Sequence, residues 1–486
     1  MKKILLTTIL TALVGGLFIS CDAENTIKNP YTNNGDKVDD KPPTENDPDE
    51  LQKDYPTLMG NNPIITVRYS ADPTARVIGD ELFVFPSSDI PGTENNSFNA
   101  FCMPYYYAYS TKNFFDWMDH GKLYAQEDVP WAIKDKYVMW APDCVEYNDK
   151  FYHYFPTLAL SNKGFKVGVA IADEPGGPYT VQPSYIEGTD NIDPNIFIDD
   201  DGSAYIIFKG DPYSKIAKLK PSMTEIEGEV KQLIVEGAGI DESKLYTEGP
   251  FIFKKGDTYY FTYAHSFNSA RSSICYATSK NLFGPYTDKG VMLDPGDTWT
   301  SHHSIVKYND EWILFYHNNY ISHEDKLRSV CADYLHFNSD GTIKKVERTL
   351  RGIGVVPATR EIQMDRYSSA YNVKIVQSEE TFPANWMITE AKNDSEVIYD
   401  RVDFGNQTYK FAQLHYKCVT SKGVVTLSDE KTDEVIADFE LVATAGGWKT
   451  IEVDISKLKA RGVTNLKLTF SDVSVNAQFD WVQFVK

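Results

Sequence analysis

Short runs of alternating apolar and polar residues fill most of this chain, and they come in pairs joined by polar turns. One pair is IDPNIFIDDDGSAYIIFKG around Asp193; another is EGPFIFKKGDTYYFTYA from Glu248. Similar pairs lie in ADPTARVIGDELFVFPSSD around Asp72, in WAPDCVEYNDKFYHYFPT from Trp140 and in SHHSIVKYNDEWILFYHNN from Ser301. A period of two with Asp, Asn and Gly at the turns predicts β-hairpins, and helical periodicity is scarce throughout. Taking Ala141, Asp193, Glu248 and His302 as markers, the steps are roughly 52, 55 and 54 residues, in the range of propeller blades. The Asp72 unit stands further upstream, separated by an Asn-rich and aromatic insertion around residues 90 to 137. Five units predict five blades over residues 63–350.

After residue 350 the period breaks. Segments such as YDRVDFG, GGWKTIEVDIS, TNLKLTF and FDWVQFVK predict a smaller antiparallel β-sandwich over 351–486. The expected fold class is therefore all-β, a five-bladed propeller followed by a jelly-roll sandwich.

The N-terminus follows another pattern. Lys2 and Lys3 precede an apolar run that stops at Cys21, as in a bacterial export signal over residues 1–20. Small or apolar residues directly before a cysteine resemble a lipobox, so cleavage before Cys21 and lipid attachment to it are expected. That would make the protein an exported lipoprotein on a membrane. Residues 21–62, polar and rich in Pro and Asp, read as a disordered tether.

Composition narrows the chemistry. A formal charge of −21 repels phosphate backbones, which argues against a nucleic-acid partner and is compatible with neutral polysaccharide. The five other cysteines form no CxxC pair, so metal clusters and redox motifs are disfavoured. Three blade-leading carboxylates, Asp72, Asp193 and Glu248, remain. Hydrolysis of a glycosidic bond needs one carboxyl to protonate the leaving oxygen and one carboxylate on the other side of the sugar. The Asp199–Asp201 run suits a hairpin turn better than calcium.

Residues 62–350 resemble glycoside hydrolase family 43 through ADP at Asp72, WAPD at Trp140, DPNIFIDDDG at Asp193, EGPF at Glu248 and the His302 unit. The resemblance implies an inverting glycosidase, with carboxyls about 6.5–9.5 Å apart. Asp72 would be the general base and Glu248 the general acid, and Asp193 would orient Glu248 and keep it protonated by repulsion. It also implies that Arg328 reaches the substrate pocket and that His302 stands near a metal ion or water in the propeller channel. No cofactor is expected for the chemistry. Trp140 and Phe251, beside the blade-leading positions, are candidates for the sugar-facing wall, core packing being the other reading of Phe251. His303 and His317 read as structural.

The C-terminal part resembles a family 6 carbohydrate-binding module through YDRVDFG at Tyr399, GGW at Trp448 and FDW at Phe479. Trp448 is its candidate sugar platform, and Asp365 with Asp480 its candidate calcium ligands. The whole points to a monomeric, exo-acting α-L-arabinofuranosidase on plant arabinoxylan. The alternatives are a β-xylosidase or a non-catalytic surface glycan-binding protein.

Overall fold

The computed structural model describes residues 61–486 apart from 93–100, 212, 238–246, 267–270, 378–385, 420–421 and 460. The expected signal, Cys21 and nearly all of the tether lie outside the described residues. Five sheets form the propeller, antiparallel throughout except where the short strand Val235–Glu236 runs parallel to Tyr286–Leu293 in blade four. Their innermost strands are Ala71–Ile78, Asp143–Tyr147, Asn195–Ile198, Thr247–Lys255 and Ser304–Tyr308. Each inner strand touches the next around the axis, and the fifth touches the first, so the ring closes.

Blade one takes in the aromatic stretch. The aromatic stretch read as an insertion supplies its third and fourth strands, Tyr105–Thr111 and Met118–Ala125. The YYYAYST run is a strand buried on both faces, so it lacks the alternation that marks half-exposed strands.

Apolar faces of neighbouring blades pack as separate clusters. Phe85, Tyr106 and Phe155 join blades one and two; Tyr154, Ile206 and Phe208 join two and three. Ile207, Phe261 and Tyr263 join blades three and four; Ile274, Leu314 and Tyr316 join four and five. Val84, Tyr109 and Phe315 complete the circle. Full burial of such side chains stabilises by about 1.5–3 kcal/mol each.

Polar bonds near the axis fix the order of the blades. Thr74 Oγ1 and Asn195 Nδ2 donate to Asp143 at 2.6 and 3.0 Å, tying blades one, two and three. The Ile252 N–H donates to Asn195 Oδ1 at 2.9 Å, and His303 Nε2 meets Thr262 Oγ1 at 2.6 Å. The Ala75 N–H donates to Ser304 Oγ at 2.9 Å, which closes the circle. Asp143 of WAPD and Asn195 of DPN are thus joints between blades. Buried polar groups require such partners.

Asn62, expected at the end of the tether, belongs to the fold. Its Nδ2 donates to the carbonyls of Ala332 and Thr349 at 2.9 and 2.8 Å, and its Oδ1 accepts from the Ala332 N–H at 2.8 Å.

The sandwich consists of two six-stranded sheets around a single apolar core that includes Tyr399, Leu414, Phe439, Leu468 and Phe479. Phe115 of blade one packs into that core. At the junction, buried Arg351 donates to Asn61 Oδ1 at 3.3 Å and to the carbonyls of Gly354 and Asp400 at 2.8 and 3.1 Å. The two units are therefore joined by both apolar and polar contacts.

Candidate active site

The starts of the inner strands bring Asp72, Asp193 and Glu248 to one cavity of about 350 Å³, within the range of small-molecule sites. Its wall also includes Trp140, Arg328, His302, Lys209, Phe101, Phe165 and Trp299. Asp72 and Asp193 take left-handed backbone conformations, with φ of 49° and 60°. For a residue other than glycine this costs of order 1 kcal/mol, a strain typical of functional positions.

Asp72 is held on several sides. Ser87 Oγ donates to its Oδ2 at 2.7 Å, while Arg328 donates Nη1 to Oδ1 at 2.9 Å and Nη2 to Oδ2 at 3.3 Å. Burial, the largest single influence, works against ionisation, but the Arg328 guanidinium together with the other groups around the carboxyl, the Ser87 hydroxyl among them, holds it down at about 2. His317, read as structural, stands against Asp72. Its Nδ1 accepts the Asp72 N–H at 3.2 Å, and its Nε2–H donates to the Thr300 carbonyl at 2.9 Å. That pattern defines a neutral tautomer, in agreement with burial pushing its pKa down to about 3. The His317 Nδ1 to Asp72 Oδ1 separation of 3.5 Å is therefore not an ion pair.

Arg328 lines the cavity, yet it spends its donors on its neighbours. Its backbone N–H, Nε and Nη2 donate to Asp89 at 2.8, 2.9 and 3.0 Å, and Nη1 donates to Thr300 Oγ1 at 3.2 Å. With the Asp72 bonds, every face of the fork is occupied. Its geometry is that of a clamp on Asp72 between two carboxylates. Asp89, which the sequence reading missed, is fully buried behind it.

Asp193 accepts the Gly249 N–H at 2.8 Å, so it grips the backbone next to Glu248. Burial above all, with the Asp72 charge, pushes the Asp193 carboxyl up to about 6 against the pull of that N–H and of Lys209. Lys209 Nζ lies 3.6 Å from Glu248 Oε2 and offsets the repulsion between the two acids. Gly249 has φ of 56°, and a Cβ there would lie 3.0 Å from His302 Nδ1, so both its conformation and its neighbour require glycine.

The raised Asp193 carboxyl has a consequence for stability. A carboxyl whose folded pKa exceeds its unfolded value binds more protons folded than unfolded between the two, so stability falls as pH rises from about 4 to about 6. Asp193→Asn keeps an acceptor for the Gly249 N–H and removes the charge. The variant is expected to be more stable than the wild type at pH 8, by on the order of 2 kcal/mol, with the gap closing below pH ~4. Denaturant midpoints at the two pH values check this.

Trp140 is half-buried in the wall, tilted against Phe165 at 4.7 Å and edge-on to Phe101 at 6.1 Å. Phe251 is a correction. It lies in the core with Ile274, Tyr276 and Leu314, under the Arg76 guanidinium at 5.4 Å, and does not line the cavity. A register shift between Glu248 and Phe251 separates their positions on the strand.

His302 is half-buried in the cavity wall, and desolvation lowers its pKa. Among the described residues, no three His, Cys, Asp or Glu side chains are grouped as a metal ion needs. Calcium takes six to eight oxygens, and the side chains around His302 do not supply that shell. In the sandwich, Asp365 is turned to Arg366 at 3.0 Å. Trp448, half-buried, stacks on His415 at 5.2 Å, and His415 stacks on Trp481 at 5.0 Å, far along the chain from the cavity.

The family model of glycosyl hydrolases family 43 matches residues 60–343, more than half of the chain. The chain belongs to glycosyl hydrolases family 43. A xylosidase/arabinosidase 43A of Humicola insolens is 32% identical over 329 residues, covering 58% of this chain and 98% of that protein. An arabinoxylan arabinofuranohydrolase of Paenibacillus polymyxa is 24% identical and extends the match to 87% of this chain and 74% of its own length. Among solved structures, a family 43 β-xylosidase/α-arabinofuranosidase from a compost metagenome, in complex with xylotriose, is 30% identical with a TM-score of 0.55. It covers 60% of this chain and 98% of its own. Family 43 membership makes the protein a glycoside hydrolase, and its relatives share the five-bladed propeller.

Proposed function

We propose that this glycoside hydrolase removes single pentose units from plant cell-wall polysaccharide, α-L-arabinofuranosyl side groups of arabinoxylan in the first place, with inversion at the anomeric carbon. The observation that carries the reading is the convergence of three differently held carboxyls on one cavity. Asp72, kept ionised by Arg328, takes a proton from the attacking water. Glu248, on the neighbouring wall, gives a proton to the departing oxygen. Asp193 fixes Glu248 through the Gly249 N–H, and its own carboxyl retains a proton up to about pH 6. Trp140 and Phe165 give the sugar a hydrophobic wall.

Relatives named arabinoxylan arabinofuranohydrolase, aligned over 87–88% of this chain, support the arabinose reading. The β-xylosidase reading has its own support in the more similar xylosidase/arabinosidases and in the xylotriose-bound neighbour. The Cys21 anchor would place the enzyme on a membrane, and the stacked rings of the sandwich would hold it on polysaccharide. Products from arabinoxylan, arabinan and xylo-oligosaccharides, followed by NMR at the anomeric proton, test the proposal. Arabinose released from arabinoxylan with inverted configuration is expected. Xylose alone from xylo-oligosaccharides would shift the reading to β-xylosidase, and retention would contradict the roles of Asp72 and Glu248.

A further inference from the structure

A ladder of stacked groups leads from the cavity floor to its mouth. Arg328, clamped on Asp72, lies 4.9 Å from the Phe101 ring; Phe101 in turn stacks on Trp299 at 5.9 Å and 11°. Exposure rises along it, from 2% for Arg328 through 7% for Phe101 to 43% for Trp299. Lys326 Nζ lies 4.4 Å from the Trp299 ring and 4.9 Å from Phe101, so a cation braces the pair from the side. A large indole is thereby held nearly half in solvent, on a wall it shares with Asp72, Asp193 and Glu248.

We propose that Trp299 is the platform for the sugar on the leaving-group side of the scissile bond, which makes the site one for oligosaccharide or polysaccharide substrates. The inference rests on the glycosidase reading above. The terminal sugar has to reach the buried carboxyls, so everything beyond the glycosidic oxygen lies toward the mouth. There Trp299 offers an exposed ring whose backing is already fixed. The apolar C–H face of a pyranose matches such a ring, and little ordering is left for binding to supply. A second, polar cavity of about 490 Å³ is bordered by Asp297, two residues before Trp299 in the chain, and by Asn319, Tyr320 and His323. Its donors and acceptors suit the hydroxyls of a further sugar.

The test compares kcat/KM on an oligosaccharide with kcat/KM on the methyl glycoside of the same terminal sugar, in the full chain and in Trp299→Ala. The ratio is expected to fall about 3- to 10-fold in the variant, the range of one aromatic contact. An unchanged ratio would overturn the proposal. Titration calorimetry with xylotriose in the Glu248→Gln background reads the platform without turnover: a similar loss of affinity on adding Trp299→Ala supports it, and equal affinity overturns it. Should the wild type cleave no glycoside while xylotriose binding still depends on Trp299, the glycosidase reading fails and the platform stands.

Discussion

Glu248→Gln is expected to lower kcat on arabinoxylan oligosaccharides by about 10²- to 10⁴-fold, the usual contribution of a positioned general acid. Glutamine has nearly the same shape and leaves the strand Thr247–Lys255 and the Asp193 bond to Gly249 in place. It loses the ion pair with Lys209 and, above all, the proton that the departing oxygen needs. The deficit therefore depends on the leaving group. A dinitrophenyl glycoside, whose leaving group departs as an anion without help, is expected to recover most of the rate. Steady-state kinetics on both substrates check this, and an equal loss on the two would assign Glu248 a role other than proton donor. The same comparison with Asp72→Asn separates the roles, because loss of the base slows attack by water whatever the leaving group.

Asp89→Ala is expected to destabilise the propeller by about 3–5 kcal/mol, since it leaves the buried Arg328 with one of its two carboxylates gone. Three donors, the Arg328 N–H, Nε and Nη2, lose their acceptor in a place water does not reach. Because the same guanidinium holds Asp72, activity is expected to fall with stability. Asp89→Asn preserves the shape and one acceptor and should be milder on both counts. Denaturant unfolding followed by tryptophan fluorescence, with kcat measured well below the transition, gives both readings. A cost under about 1 kcal/mol for the alanine variant would show that Arg328 is held without Asp89.

Much of this site was legible in the chain. The carboxylates are legible because a propeller repeats its strand pairs, and residues at the same phase of each repeat arrive at the same end of the axis. Asp72, Asp193 and Glu248 do so, and all three line the cavity. The groups that act on them were not legible. Asp89 follows the second strand of blade one, Lys209 the second strand of blade three, and Trp299 precedes blade five. Their residue types do not repeat from blade to blade, and each meets its partner across tens to hundreds of residues. Arg328 shows the limit from the other side: the resemblance placed it at the pocket, but only the fold showed its donors spent on Asp72 and Asp89.

Phe251 failed for a local reason. Three residues beyond Glu248 and past a register shift, it points into the packing between blades four and five, where an aromatic ring serves the core. By itself the sequence determined the all-β class, the five repeats with a trailing sandwich, and which carboxyls share one end of the axis. These follow from periodicity, which is local. The tertiary structure alone decided how Asp72 and Asp193 are charged, because desolvation and the reach of Arg328 and Lys209 depend on distances between blades.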